Sequence, residues 1–81
     1  MTISTKDRFY KLLSMHVAGQ KIDLNNHLIN EGFFSSMEYM TFLIEIESEF
    51  NVRFSNDDLA FGCLFTPSAI IKKIDLLLAH E

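Results

Sequence analysis

The chain has 81 residues, of which 48% are hydrophobic, with three glycines, one proline and a formal net charge of −4. That length holds one small domain, residues 1–81, with no room for a second core, and so few turn formers favour helices over a turn-rich β fold. The acidic balance disfavours nucleic acid, which needs a basic surface, and no apolar run reaches the about 18 residues of a membrane span.

The opening residues MTISTKDRF lack the apolar core of a signal peptide, so a soluble cytoplasmic protein is expected. A first helix is predicted from about Lys6 to Val17. Ser4 or Thr5 can cap it, and Ser4 with Asp7 has capping-box spacing. Phe9, Leu12, Leu13 and His16 recur at helical spacing and give one buried stripe. His16 on that stripe fits a partly buried histidine with a local hydrogen bond. His27 and His80 make no i, i+4 pair with it, so no helical metal site is expected. Gly19 is a plausible stop.

Residues Gln20 to Ser35 read as a long first loop. Lys21, Asp23, Asn25, Asn26 and Asn30 alternate with apolar residues that can pin it: Ile22, Leu24, Leu28, Ile29 and Phe33. A loop of this length in a compact domain is unusual and often functional.

The second helix is predicted from Ser36 to Phe50, fifteen residues without Pro or Gly. At about 100° per residue, Tyr39, Phe42, Leu43, Ile46 and Phe50 fall on one side and should face the core. Met37, Met40 and Ile44 fall near the other side with Thr41 and Ser48. Glu38, Glu45 and Glu49 line one flank and Glu47 the other. Such a strip is either a second buried side or a docking face, and methionines suit contacts with several partners. Seven acidic residues lie between Glu31 and Asp58, with Arg53 alone opposing them. That face is either an ordinary solvated one or suited to partners with a basic docking patch.

Asn51 to Phe54 form a short extended link. Ser55 can cap a brief third helix, with Asp58 at the capping-box position, ending near Phe61. Gly62 to Phe65 read as a loop. Thr66 as N-cap and Pro67 at the first position start a last helix that runs to about Ala79. Ile70, Ile74, Leu77 and Leu78 should line its buried face, with Lys72, Lys73 and Asp75 in water. The fold class is therefore all-α: four helices, the third short, with a long first loop. Cys63 is the sole cysteine, which excludes an internal disulfide and a cysteine zinc site and leaves a small hydrophobe.

The run Leu28, Ile29, Asn30, Glu31, Gly32, Phe33, Phe34, Ser35, Ser36, Met37, with an acidic helix closing at Glu47, Ser48, Glu49, Phe50, Asn51 and Val52, resembles the phosphopantetheine attachment region of acyl and peptidyl carrier proteins. The Gly-apolar-apolar-X-Ser form is closer to the D-alanyl and peptidyl carrier branch. The resemblance covers nearly the whole chain in helix order and spacing. It implies a four-helix carrier-protein bundle and a 4'-phosphopantetheine arm joined covalently to Ser36. Ser35 stands where the family usually has Asp. The implied docking surface is Ser35, Met37, Glu38, Met40, Thr41, Ile44, Glu45 and Glu47. The implied partners are a phosphopantetheinyl transferase, an acyl- or aminoacyl-loading enzyme, and downstream synthase or modifying enzymes acting on a monomeric carrier.

The sequence contains no glycine-rich phosphate loop, no HExxH and no nucleophile elbow. Ser36 lacks a sequence-adjacent base, so it suits a substrate of another enzyme better than a nucleophile. The readings that remain are a discrete non-catalytic carrier in specialised biosynthesis of the polyketide or nonribosomal-peptide type, a fatty-acyl carrier, and an adaptor without the arm that works by protein contacts alone.

Overall fold

The computed structural model describes residues 4–17, 19–55, 58 and 64–79. These contain three helices, α1 (Thr5–His16), α2 (Ser36–Phe50) and α3 (Pro67–Ala79), and no strand. The short helix expected after Ser55 lies almost wholly outside the described residues. The Ser55/Asp58 capping-box bonds are among the described residues: Ser55 N donates to the Asp58 carboxylate and Asp58 N to the Ser55 hydroxyl, both at 3.1 Å. Cys63 and His80 also lie outside the described residues.

Local chemistry sets each helix end. Ser4 Oγ accepts from Asp7 N at 3.1 Å and satisfies a donor that the first turn leaves open. Thr66 Oγ1 does the same for Ala69 N at 3.2 Å, and Pro67 fills the first position, where a missing N–H costs nothing. At the far end of α2, Asn51 takes the left-handed conformation at φ 54°, and Val52 N donates to Glu47 O at 3.1 Å. The Arg8 guanidinium donates to Glu49 O at 2.8 Å and lies 4.3 Å above the Phe50 ring. A cation thus meets the negative end of the α2 dipole and an aromatic face together.

The core follows from these helices. Phe9 and Leu13 enter it from α1, Ile70 and Ile74 from α3, and Tyr39, Phe42, Leu43, Ile46 and Phe50 from α2. Helix α1 packs against both of the others. Phe42 lies at its centre, edge-on to Phe9 and stacked on Phe34 at 5.2 Å. Burying one such side chain stabilises the fold by about 1.5–3 kcal/mol. Leu12, Leu77 and Leu78, assigned to buried stripes by periodicity, are only half-buried at the edge of this core.

The long loop is ordered by its own polar groups. Glu31 accepts from Asn26 Nδ2 and from His27 N, and Asn30 N donates to His27 Nδ1 at 2.9 Å. Glu31 N and Gly32 N close one helix-like turn onto His27 O and Ile29 O. Gly32 then takes φ 83°, which a residue with a Cβ adopts only under strain, and Phe34 N returns to Leu28 O at 2.9 Å. Two long-range bonds fix the loop to the start of α3: Leu28 N to Phe65 O at 2.8 Å and Ser68 N to Leu24 O at 2.9 Å. Ile22 and Leu28 pin it as expected; Leu24 does not, because its side chain is exposed, and Phe34 is the further anchor.

Candidate functional site

The loop delivers the chain to α2 at a serine pair whose two members do different things. Ser35 is the N-cap. Its hydroxyl accepts from Glu38 N at 3.2 Å, and the Glu38 carboxylate accepts from Ser35 N at 3.0 Å. This reciprocal box satisfies two donors at once. The bonds from Ser35 hold the Glu38 carboxyl below its ordinary range, with a smaller contribution from the nearby His16. Ser36 is the first residue of the helix proper and is exposed. Its hydroxyl has no hydrogen-bond partner among the described residues, and neither do the backbone N–H groups of Ser36 and Met37.

Beyond Ser36 the outward face of α2 is apolar. Met37 is 83% exposed, Ile44 61% and Met40 43%, with the exposed Thr41 beside them. A second buried side for α2 is therefore absent among the described residues. Met37, Met40 and Ile44 recur at i, i+3 and i+7, one line along two turns.

The carboxylates around this strip are already engaged. Glu38 is tied into the cap. Glu45 pairs with the His16 imidazole, whose side chain is 26% exposed against 47% for Glu45. Glu47 is half-buried, and its Oε2 accepts from Phe54 N at 2.7 Å, fastening the link after α2. So the oxygens of Glu38, Glu45 and Glu47 also hold the fold. The partner of His16 lies 29 residues away on another helix, not locally as the spacing suggested.

One residue that sequence reasoning assigned only to the core stripe also supports the site. Tyr39, one turn after Ser36, donates its phenol to Leu64 O and stacks edge-on against Phe65 at 5.4 Å. Burial pushes its phenol pKa up. Phe65 also stacks on His27 and accepts from Leu28 N. The start of α2, the loop and the approach to α3 thus meet at one point. The aromatic type at position 39 gave no sign of that partner, because the contact spans 25 residues.

A phosphodiester on Ser36 fits these groups in three respects: an accessible hydroxyl, two N–H groups without an acceptor, and the positive end of the helix dipole. The Glu38 carboxylate shares that terminus and offsets part of the attraction. Among the described residues no group of three or more His, Cys, Asp or Glu could hold a metal ion, and no helix is long and apolar enough to cross a membrane. Comparison with protein families, curated proteins and solved structures finds no match to this chain.

Proposed function

We propose that this chain is a discrete carrier protein whose Ser36 hydroxyl takes a 4'-phosphopantetheine arm. One observation carries the reading: an exposed, unengaged serine hydroxyl opens α2 directly beside an exposed Met37/Met40/Ile44 strip. The motif resemblance in the sequence singles out the same serine. When bound, the arm supplies a terminal thiol that holds an acyl or aminoacyl group as a thioester. The chain itself does no chemistry. Ser36 is the attachment point, and its position beyond the capping box keeps the hydroxyl available. The N–H groups of Ser36 and Met37 favour the anion that attachment leaves, by roughly 0.3–1 kcal/mol before the opposing Glu38 charge is counted.

Met37, Met40, Thr41 and Ile44 form the docking face, with Ser35, Glu38, Glu45 and Glu47 around it. The face suits a partner with an apolar patch ringed by basic groups, which steer encounter more than they hold the complex. Its users would be the phosphopantetheinyl transferase, a loading enzyme and downstream synthase or modifying enzymes of the cytoplasm. The Gly-apolar-apolar-X-Ser form favours an aminoacyl or specialised-metabolite cargo over a fatty-acyl one.

A second reading, an adaptor that uses this face without an arm, draws on Ser35. Its hydroxyl is spent inside the helix cap, so the site offers no carboxylate at the position where carriers usually present Asp. Co-expression with a broad-specificity phosphopantetheinyl transferase and intact mass measurement separate the two. A gain of one phosphopantetheine, lost in Ser36→Ala, supports the carrier. An unchanged mass selects the adaptor.

A further inference from the structure

Large exposed hydrophobics on the described surface lie at three places: the α2 strip, Met15 on α1, and a groove of about 440 Å³ where the first turn of α1 and the loop meet the outer face of α3. Leu24, Ile71 and Leu76 line it together with Lys6, Lys72 and Asp75. Leu24 is 37% exposed and Leu76 49%. The Leu24 backbone is tied to α3, because Ser68 N donates to Leu24 O at 2.9 Å. Neither lysine pairs with a carboxylate among the described residues, whereas Lys73, which lies outside the groove, pairs with Asp58 at 3.3 Å.

From the match between groove and strip we infer that a second copy of this chain seats its α2 strip in the groove. Three properties agree. Both surfaces offer apolar side chains: Met37, Met40 and Ile44 on the strip, Leu24, Ile71 and Leu76 in the groove. Met37 to Ile44 covers about 10 Å of helix and Ser68 to Leu76 about 12 Å, so the lengths correspond. The strip is bordered by carboxylates, while the groove carries two lysines against one aspartate. The contact is heterologous: each copy offers its strip to one neighbour and its groove to another, so it extends rather than closing as a two-fold pair. It is also small. Stable interfaces bury about 1,200–2,000 Å² in total, and one helix strip in one groove falls below that. The association is therefore weak and transient. It covers the docking face, so a crowded population would mask its own strip.

Sedimentation of the full chain from micromolar to millimolar concentration at low salt tests this. The average mass of the wild type should rise steadily with concentration. Lys6→Glu/Lys72→Glu changes two exposed residues that pair with no carboxylate among the described residues, and should weaken association roughly tenfold or more. Ile44→Ser should do the same from the other surface. Glu38→Lys/Glu45→Lys should likewise stay monomeric alone, yet associate when mixed with the lysine-reversed chain, since each then offers the other a matching pair. Circular dichroism confirms that each variant keeps its helices. A wild type that remains monomeric at millimolar concentration, or association undiminished in both Lys6→Glu/Lys72→Glu and Ile44→Ser, overturns the inference. Repeating the series in a Ser36→Ala background removes the arm, so the fate of the carrier reading does not alter the result.

Discussion

The imidazole of His16, the last residue of α1, meets the carboxylate of Glu45 in the third turn of α2, and the ring also packs edge-on against Phe42 at 5.3 Å. The pair joins the two helices on the flank of α2 that carries Glu38 and Glu49. It stands at the end of α1.

Both side chains remain partly solvated, so the pair alone should contribute only about 0.2–1 kcal/mol. A double-mutant cycle with His16→Ala and Glu45→Ala, read by urea unfolding, should return a coupling in that range. His16→Ala alone should cost more, because its ring also contacts Phe34 and Phe42. A zero coupling at low salt would show that the aromatic contacts alone hold the ring there.

Glu38 gives a pH signature of known sign. Its folded carboxyl lies below the ordinary value of 4.5, chiefly through its bonds with Ser35. A depressed folded pKa contributes stability that is fully present above the unfolded value and is lost as pH falls through the folded one. Wild type and Glu38→Gln should therefore differ in stability at neutral pH and converge in the acid range below about 4.5. Urea midpoints of both proteins across that range measure it. A difference that persists unchanged into acid would place the effect in packing and not in the charge of the box.

The part of the fold legible in sequence is the part built from local rules. Ser36 to Phe50 and Pro67 to Ala79 have the expected bounds because Ser35, Asn51, Thr66 and Pro67 act on their immediate neighbours. The exposed serine and the outward methionines followed from the phase of one helix. What was not legible depends on distance along the chain. Leu24 meets Ser68 and Leu28 meets Phe65, which turns a loop of scattered polar residues into an ordered crossing. The engagement of Glu45 by His16 and of Glu47 by Phe54 N likewise needs the packed helices. Charge patterning could count those carboxylates but could not show that they were occupied.

Tyr39 offers a direct measure of how firmly that crossing holds the site. Its phenol satisfies Leu64 O in a buried position. Tyr39→Phe keeps the ring against Phe65 and removes only the donor. Leaving a buried carbonyl without its partner costs about 1–3 kcal/mol. Denaturant unfolding should show a loss of that size, and amide exchange should quicken at Leu28 and Ser68 together if the crossing opens as a unit. A loss below a few tenths of a kcal/mol would mean that water replaces the phenol.

The serine pair separates structure from function with two substitutions of equal size. Ser35 and Ser36 are adjacent and both exposed, and each becomes alanine by loss of one hydroxyl. Ser35→Ala removes the acceptor for Glu38 N and half of the capping box, so it should cost about 1 kcal/mol of stability. Ser36→Ala removes a hydroxyl with no partner among the described residues and places a good helix former at the first helical position, so stability should hold or rise slightly. Modification should run the opposite way. With a phosphopantetheinyl transferase and coenzyme A, Ser35→Ala should still gain the arm and Ser36→Ala should not. Peptide mapping by mass spectrometry locates it. An arm on Ser35, or one that survives in Ser36→Ala, contradicts the assignment, because it would require modification of a hydroxyl that the helix cap already uses.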